Sequence, residues 1–209
     1  MIEVIPGILE QNFAEIEKKI RQVEEFCPWI QIDLLDGTLF ANTCFHNAQT
    51  FTTLRTVSRL ELHMMVINPQ KLVDEWAQAG IKRFIGHIEG ITDCEGFIAK
   101  VRSKKLEVGL AVDIETDVSI IQPYLSNIDV ALIMSIKTGK SGQAFDDQVI
   151  TKIQKVRSLA PDLPIEIDGG INLDTGRRVV QAGATRLVST SFIFNSPYIL
   201  QAIKRLQEV

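Results

Sequence analysis

Short runs of apolar and β-branched residues alternate along the chain with longer segments in which apolar positions recur every three or four residues. The short runs predict β-strands, and the longer segments predict amphipathic helices that bury one face. The predicted strands span residues 3–5, 29–34, 60–66, 83–87, 107–112, 130–136, 164–168 and 186–189, and the predicted helices span residues 13–26, 47–57, 69–79, 94–103, 117–125, 146–159, 174–182 and 197–207.

Two of the predicted helices begin at capping signals. Asn12 precedes the first helix, with Glu15 three residues later, which is an asparagine variant of the capping box. Asn68 precedes Pro69, and this pair places a capping side chain before a proline at the first helical position. We therefore expect a helix to start directly after each asparagine.

Strict alternation of strands and helices predicts a parallel sheet covered by helices. Eight strand–helix units in 209 residues favour a closed (β/α)8 barrel, the TIM-barrel fold of the α/β class, over an open doubly wound sheet. The open sheet would carry a glycine-rich dinucleotide motif after the first strand, where this chain has Pro6-Gly7-Ile8-Leu9. Because no linker or change of composition divides the chain, we predict a single domain over residues 1–209.

Composition and charge narrow the possible partners. The chain is 45% hydrophobic and 23% charged, as in ordinary globular proteins, and its formal net charge of −4 provides no basic surface for nucleic acid. It has no basic signal-peptide segment at its start and no apolar run near the roughly 18 residues that span a bilayer. We therefore expect a cytoplasmic protein without nucleic-acid or membrane partners. Cys27, Cys44 and Cys94 lack metal-type spacing and are interpreted as structural or incidental.

Polar side chains collect where the predicted strands end. Gln31 and Asp33 end the second strand and share one face of it, His63 lies in the third strand, and Asp168 ends the seventh. His87 and Asp113 end the fourth and fifth strands. Each could instead be a turn-forming carboxylate or a hydrogen-bonded core histidine. Two carboxylates and an imidazole at one face of a barrel are nevertheless costly to cluster unless a divalent metal or a substrate binds them.

Three further segments suit anion binding. The loop after the sixth strand, KTGKSGQAF at residues 137–145, combines glycines, a serine and two lysines, although a flexible surface loop would have the same composition. Gly169-Gly170 follows the seventh strand and Ser189-Thr190-Ser191 ends the eighth, where barrels often bind phosphate.

Taken in order, seven segments of the chain resemble the ribulose-phosphate 3-epimerase family of phosphate-binding TIM barrels. The resemblance implies a (β/α)8 barrel that inverts the carbon next to the ketone of a pentulose 5-phosphate, usually with a divalent metal. The segments are PGILEQNFAEIE, QIDLLDGTLFAN, LHMMVINPQ, HIEG, LIMSIKTGKSGQAF, IEIDGGIN and STSFIF.

The resemblance also implies roles for individual residues. It makes Asp33 and Asp168 the two catalytic residues, which together with His63 bind the metal, and it places Gln31 at the fourth ligand position. Contacts with substrate and phosphate are implied for Gly7, Met65, Met134, Gly139, Lys140, Ser141, Gly142, Gly169, Gly170, Thr190 and Ser191.

The departures from the family pattern cluster at the active face. A family histidine is Gln31, a serine is Gly7, a methionine is Leu35 and a glycine is Thr190. The phosphate loop also differs, with Lys137-Thr138 in place of Asn-Pro and with Lys140 and Ser141 in place of phenylalanine and glycine.

The substitution at Gln31 changes the expected cofactor. An amide oxygen is a poorer ligand than imidazole for zinc-like metals, although three protein ligands suffice at many catalytic zinc sites. We therefore expect one divalent metal of the zinc, iron, manganese or cobalt class, bound more weakly than is usual in the family, and no organic cofactor.

Several functional hypotheses remain open. The first is a sugar-phosphate 3-epimerase that converts ribulose 5-phosphate to xylulose 5-phosphate by two-aspartate proton transfer through a metal-stabilised enediolate. The alternatives are a non-catalytic sugar-phosphate-binding barrel, or an epimerase or isomerase of a different ketose phosphate with an altered metal or none. Retention of Asp33, His63 and Asp168 together favours the first. We expect a small phosphorylated ketose as ligand and a homo-oligomer as the assembly.

Two related chemistries are disfavoured. A Schiff-base role for Lys137 lacks the burial that lowers a lysine pKa. The related decarboxylase and hexulose-phosphate synthase branch carries an Asp-x-Lys-x-x-Asp pattern on its third strand, and the third predicted strand here has no lysine.

Overall fold

The computed structural model describes residues 2–139 and 143–209. Within these residues, eight parallel strands close into a barrel in sequential order, with the last strand paired to the first. The predicted (β/α)8 barrel is therefore confirmed. The strands are β1 (Glu3–Ile8), β2 (Trp29–Leu34), β3 (Arg59–Met64), β4 (Arg83–His87), β5 (Glu107–Val112), β6 (Val130–Met134), β7 (Ile165–Asp168) and β8 (Arg186–Ser189).

Helices follow the strands around the outside of the barrel. In addition, 3-10 helices lie at Pro69–Lys71, Ile88–Gly90 and Val118–Asn127. Among the described helices, none combines the length and the apolar character needed to cross a membrane. The α-helices are α1 (Phe13–Val23), α2 (Ala48–Phe51), α3 (Val73–Gln78), α4 (Cys94–Ser103), α5 (Gln148–Leu159), α6 (Leu173–Ala182), α7 (Ser191–Phe194) and α8 (Ile199–Gln207).

The first strand is longer than its sequence predicts. The pair Pro6-Gly7 reads as a turn, but β1 continues through both residues to Ile8. Pro6 lies opposite Ser189, and Gly7 lies opposite Gln31. The fixed φ of proline is compatible with extended backbone, so the ring costs this strand one N–H donor without ending it.

Two of the predicted helices differ from the helices found in the structure. The helix predicted at residues 47–57 is reduced to α2, because the hydroxyls of Thr52 and Thr53 donate to the carbonyl oxygens of Gln49 and Thr50 at 2.7 and 2.8 Å. The segment predicted as a helix at residues 117–125 is a 3-10 helix that contains Pro123, which cannot donate a backbone hydrogen bond.

The two capping signals have different outcomes. Asn12 caps α1, and its side chain accepts a hydrogen bond from the Glu15 N–H at 3.0 Å. Asn68 does not cap, because it adopts a φ of 56° and its side chain accepts from the Thr92 hydroxyl at 2.9 Å. The helix predicted at residues 69–79 therefore divides into a 3-10 helix and α3.

The main core lies between the strands and the helices. Ile30, Ile32 and Leu34 point outward from β2 and pack in the same cluster as Ile16 and Ile20 of α1. The opposite face of β2 points into the barrel, which leaves the barrel interior to a different set of residues.

Charged side chains fill the barrel interior below the pocket. Arg83 is 1% exposed, and it pairs with the buried Glu61 and, at 2.7 Å, with Glu107. Its guanidinium lies 3.7 Å from the ring centroid of Trp29, in a cation–π contact. Glu166 is also fully buried in this layer. Burial raises the pKa of Glu166 well above its usual range, and the charge of Glu61 raises it further.

Replacing Glu166 by glutamine should make stability less dependent on pH. A carboxyl whose pKa is higher in the folded chain than in the unfolded chain stabilises the fold fully below its unfolded pKa and loses that stabilisation as pH rises. We expect the melting temperature of Glu166→Gln, minus that of the wild type, to increase between about pH 5 and about pH 8. The exposed Glu25→Gln is the control. A difference that stays constant with pH would show that Glu166 is not held neutral by the fold.

Candidate functional site

A pocket opens at the end of the barrel where the carboxyl ends of the strands meet. It encloses about 550 Å³, counting the space that is open to solvent. Ten of the predicted site residues line it, namely Asp33, His63, Met65, Met134, Gly139, Asp168, Gly169, Gly170, Thr190 and Ser191. Residues from strands distant in sequence therefore meet at one place.

Asp33, His63 and Asp168 form the polar floor of this pocket. Asp33 lies directly opposite His63 in the pairing of β2 with β3. Nδ1 of His63 is 3.3 Å from a carboxylate oxygen of each aspartate. One potential ligand atom from each residue lies within 4.8 Å of the others, so the group could hold a metal ion.

Gln31 lies behind the two carboxylates. It precedes Asp33 by two residues on the inward face of β2 and is fully buried. Its amide Nε2 donates to Asp33 and to Asp168, both at 2.8 Å, and lies 3.4 Å from Nδ1 of His63. Its Oε1 is buried without a hydrogen-bond partner among the described residues. A buried acceptor without a partner is uncommon and costs free energy.

This unpartnered oxygen tests whether the residues fit a divalent metal. Exchanging the oxygen and nitrogen of the Gln31 amide by a half-turn barely changes the shape of the side chain. In that orientation Oε1 would face the same point as the carboxylates and Nδ1 of His63. Carboxylate, amide and imidazole donors together form a reasonable ligand set for a first-row divalent metal. The residues therefore fit a metal, provided that the amide rotates.

The protonation of the floor is set by burial and by mutual contacts. Burial raises the pKa of Asp33, and the nearby charge of Asp168 adds to this effect. Burial opposes the charged form of His63, but its hydrogen bonds to Asp168 and Asp33 outweigh burial and raise its pKa to about 10. Without a metal, a protonated His63 therefore partly neutralises the two carboxylates.

A second histidine supports His63 from behind. Nε2 of His63 lies 2.8 Å from Nε2 of His87, and the two rings are close to parallel, with centroids 4.9 Å apart. Nδ1 of His87 lies 3.0 Å from Oε2 of Glu89, whose Oε1 accepts from the Asp113 N–H at 2.8 Å. In the sequence, His87 is marked by its position at a strand end, and Glu89 lies in the segment HIEG that carries part of the family resemblance, which gives it no role.

Apolar side chains form the wall of the pocket. Met65, Met134 and Leu35 lie beside the polar floor and are buried. Leu9, Ile136, Ile171 and Val188 complete this wall. The sequence does not single out these four, because an apolar residue at a strand end has the same sequence pattern whether it faces a pocket or the core.

Glycines shape the rim of the pocket. Gly139, Gly169 and Gly170 have φ values of +100°, +117° and +63°, in the left-handed region that favours glycine. A Cβ on Gly169 would lie 2.5 Å from Ile136. The phosphate contacts predicted at Lys140, Ser141 and Gly142 lie outside the described residues.

Gly7 and Thr190, two departures from the family pattern, are neighbours in space. Gly7 does not line the pocket but lies below it, on β1. A Cβ added to Gly7 would lie 2.8 Å from Oγ1 of Thr190 and 2.9 Å from Val188. A side chain at position 7 and the threonine at position 190 would therefore compete for the same space.

The three cysteines and Lys137 are poorly placed for nucleophilic or Schiff-base chemistry. Burial raises the pKa of the Cys27 thiol to about 12 and that of the Cys44 and Cys94 thiols to about 11. Thiols with such pKa values are weak nucleophiles at neutral pH. Lys137 is exposed and pairs with Glu115 at 3.2 Å. Its ammonium group therefore lacks the burial that a Schiff-base lysine requires.

The fold and the site define an α/β barrel with a group of two aspartates and a histidine that could hold a metal at the carboxyl ends of its strands. The model of the family described as "Ribulose-phosphate 3 epimerase family" matches residues 3–194. The chain belongs to this family, and it is an isomerase-class enzyme similar to the ribulose-phosphate 3-epimerases.

Curated relatives agree along nearly the whole chain. A ribulose-phosphate 3-epimerase of Bacillus subtilis is 30% identical and is covered over 99% of both chains. One of Schizosaccharomyces pombe is 29% identical over 93% of this chain and 87% of the relative.

Solved structures of other proteins share the fold. A 3-hexulose-6-phosphate synthase is 16% identical, with a TM-score of 0.72 over 100% of this chain and 99% of that one. A tryptophan synthase α-subunit of Pyrococcus furiosus is 10% identical, with a TM-score of 0.76 over 100% of both chains. At these identities the likeness concerns the fold alone.

The contact between Gly7 and Thr190 predicts coupled mutations. We expect Gly7→Ser alone to destabilise the protein by about 1–3 kcal/mol, because the added atoms overlap Thr190 and Val188. Adding Thr190→Gly should recover part of this loss, and Thr190→Gly alone is the control. Urea unfolding of the four proteins gives the coupling energy. Strictly additive effects would show that the two positions do not share this space.

Proposed function

We propose that the protein is a sugar-phosphate 3-epimerase that interconverts ribulose 5-phosphate and xylulose 5-phosphate. The observation that carries this proposal is the convergence of Asp33 and Asp168 on one pocket from β2 and β7, each 3.3 Å from the same ring nitrogen of His63. Epimerisation next to a ketone needs one group to remove a proton from one face of the carbon and another to return a proton to the opposite face. Two carboxylates at one pocket floor suit this pair of roles.

The chain's own residues supply the proton transfers. In one direction of the reaction, one of Asp33 and Asp168 accepts the C3 proton, and the other donates a proton to the opposite face. The raised pKa of Asp33 supports this role, since raising the pKa of a carboxyl makes its carboxylate a stronger base. Met65, Met134 and Leu35 exclude water from the reacting carbon.

A divalent metal held by Asp33, His63 and Asp168, with Oε1 of Gln31 as a fourth ligand, would supply Lewis-acid stabilisation of the negative charge that develops on the substrate oxygens. Under this proposal the Gln31 amide has the half-turned orientation when the metal is bound. Its present hydrogen bonds to both aspartates are the metal-free alternative.

The phosphate would bind at the rim. Gly139, Gly169 and Gly170 leave the backbone accessible there, and Thr190 and Ser191 add hydroxyls at the same pocket. Backbone N–H groups in such glycine turns are suitable anion donors. A phosphorylated ketose whose C3 lies over the floor and whose phosphate lies at the rim is the ligand that this layout favours.

One observation favours a second candidate, a non-catalytic sugar-phosphate-binding barrel. The Gln31 amide donates to both carboxylates at 2.8 Å, so it can neutralise part of their repulsion without any metal. In that reading the floor is a structural network beneath a binding pocket. Turnover and metal binding distinguish the two candidates.

Removing either carboxylate should stop epimerisation. We expect Asp33→Asn and Asp168→Asn each to lower kcat by about 100-fold or more, since each removes one of the two proton-transfer groups. Exchange of the C3 hydrogen with D₂O, followed by NMR from each pure epimer, separates the roles. Each variant should retain residual exchange with one epimer only, and the favoured epimer should differ between the variants.

The exposed Asp162→Asn is the matched control for these variants and should behave as the wild type. Full epimerisation by a folded Asp33→Asn or Asp168→Asn protein would refute the two-aspartate mechanism. A wild-type protein that binds the sugar phosphate without turnover, even with added metal, would support the binding-barrel candidate instead.

Variants at Gln31 test the metal site. Equilibrium dialysis of Mn²⁺, Co²⁺ and Zn²⁺ should show tighter binding by Gln31→His than by the wild type, because imidazole is the better ligand. Gln31→Leu should bind metal more weakly, because it removes Oε1. Unchanged affinity in Gln31→His would mean that the metal lies elsewhere. Tighter binding by Gln31→Leu would mean that the amide opposes the metal.

A further inference from the structure

A chain of hydrogen bonds runs from the pocket floor through β3 and β4 to the start of the loop after β5. It links Nε2 of His63 to Nε2 of His87 at 2.8 Å, Nδ1 of His87 to Glu89 at 3.0 Å, and Glu89 to the backbone N–H of Asp113 at 2.8 Å. The last donor is a backbone amide, whose proton cannot move to another atom. Oε1 of Glu89 is therefore an acceptor, and the directions of the other bonds follow once Glu89 is ionised.

Glu89 acts as an acceptor at both ends. Its Oε1 accepts from the Asp113 N–H, which leaves Oε2 for His87. Burial favours a neutral carboxyl, but contacts with His87, the Asp113 N–H and the Thr116 side chain together outweigh burial and lower the pKa of Glu89 to about 2. An ionised carboxylate can only accept hydrogen bonds, so Nδ1 of His87 must carry the proton.

The tautomer of His87 then determines that of His63. A neutral His87 with its proton on Nδ1 presents a lone pair on Nε2. The two Nε2 atoms are 2.8 Å apart, so the one on His63 must donate. Nδ1 of His63 is then the nitrogen left to face Asp33 and Asp168, where a metal would need a lone pair.

We propose that Glu89, acting through His87, is a positioning residue that keeps a proton on Nε2 of His63 and so makes Nδ1 the metal ligand. This inference rests on the proposed function, in which His63 binds the metal. The ring of His87 is also oriented by its neighbours, since it lies at 21° to the ring of His63 and at 75° to the ring of Phe40.

Glu89→Gln should reverse the direction of the hydrogen bonds that link residue 89, His87 and His63. The glutamine amide has one acceptor oxygen and one donor NH2 group. Its NH2 must therefore face either the Asp113 N–H or a protonated Nδ1 of His87, and neither of these can accept a hydrogen bond. Only the imidazole can adapt, by moving its proton to Nε2. His63 would then have to accept at its own Nε2 and carry its proton on Nδ1, where it competes with the metal.

The first test is NMR of the ring nitrogens in metal-free, ¹⁵N-histidine-labelled protein. The chain has only three histidines, so the signals can be assigned with single variants. We expect His87 to be neutral and protonated on Nδ1 in the wild type, and to be protonated on Nε2 in Glu89→Gln. A wild-type His87 with its neutral-ring proton on Nε2 would overturn the proposal.

The second test is Mn²⁺ affinity by equilibrium dialysis. We expect Glu89→Gln to bind the metal roughly 10–100-fold more weakly, as is usual when a residue that orients a metal ligand is changed. The control is Glu95→Gln, an exposed glutamate at the start of α4, which should match the wild type. Wild-type affinity in a folded Glu89→Gln protein would overturn the proposal.

A second pair of variants covers the case in which Glu89→Gln does not fold. In His87→Gln the amide oxygen can replace Nε2 as the acceptor for His63, whereas His87→Leu offers no acceptor. We expect His87→Gln to bind Mn²⁺ more tightly than His87→Leu, and equal affinities would count against the proposal. If the wild type binds no metal, the metal part of the proposed function fails, and the NMR spectra alone decide the tautomer assignment.

Discussion

The repulsion between two partly buried carboxylates is the constraint on which the site depends. Asp33 and Asp168 approach the same point from opposite sides of the barrel, at a place where water can solvate them only in part. Two like charges in such a place are unfavourable unless a cation, a proton or hydrogen-bond donors compensate them. The structure provides donors in the Gln31 amide and a proton in His63, whose pKa is raised to about 10. A metal would take over the same task with a higher charge.

The carboxyl groups in the charged layer beneath the pocket must also be compensated or stay neutral. Glu61 and Glu166 are fully buried on β3 and β7, the strands that also carry His63 and Asp168. Arg83 compensates one of these glutamates directly, and the high pKa of Glu166 lets the other remain neutral. The barrel therefore carries two polar layers, and each combines a carboxylate pair with nearby positive charge, which in the lower layer comes from Arg83 and Arg186. The lower layer closes the barrel, whereas the upper layer faces the pocket.

Much of the fold and of the site was predictable because it depends on local rules. Alternating strands and helices require a parallel sheet, and eight of them close a barrel, so residues at strand ends such as Asp33, His63 and Asp168 must meet. The continuation of β1 through Pro6-Gly7 was missed, because the same dipeptide is typical of turns. The competition for space between position 7 and Thr190 and the support of His63 by Glu89 were also not predictable. Each depends on a contact between residues of different strands, and the sequence does not reveal which of these residues touch.

The contacts of Gly7, Thr190 and Gln31 give these departures from the family pattern one common physical explanation. Thr190 takes up space that a side chain at position 7 would need. Gln31 places donors against the two carboxylates that a histidine would help to bind to a metal. These exchanges keep the site packed and its charges compensated, which random loss of function would not require. Oε1 of Gln31 is left without a hydrogen-bond partner among the described residues. A half-turn of the amide would aim this oxygen at the carboxylate oxygens of Asp33 and Asp168, and a cation between them would make that orientation favourable.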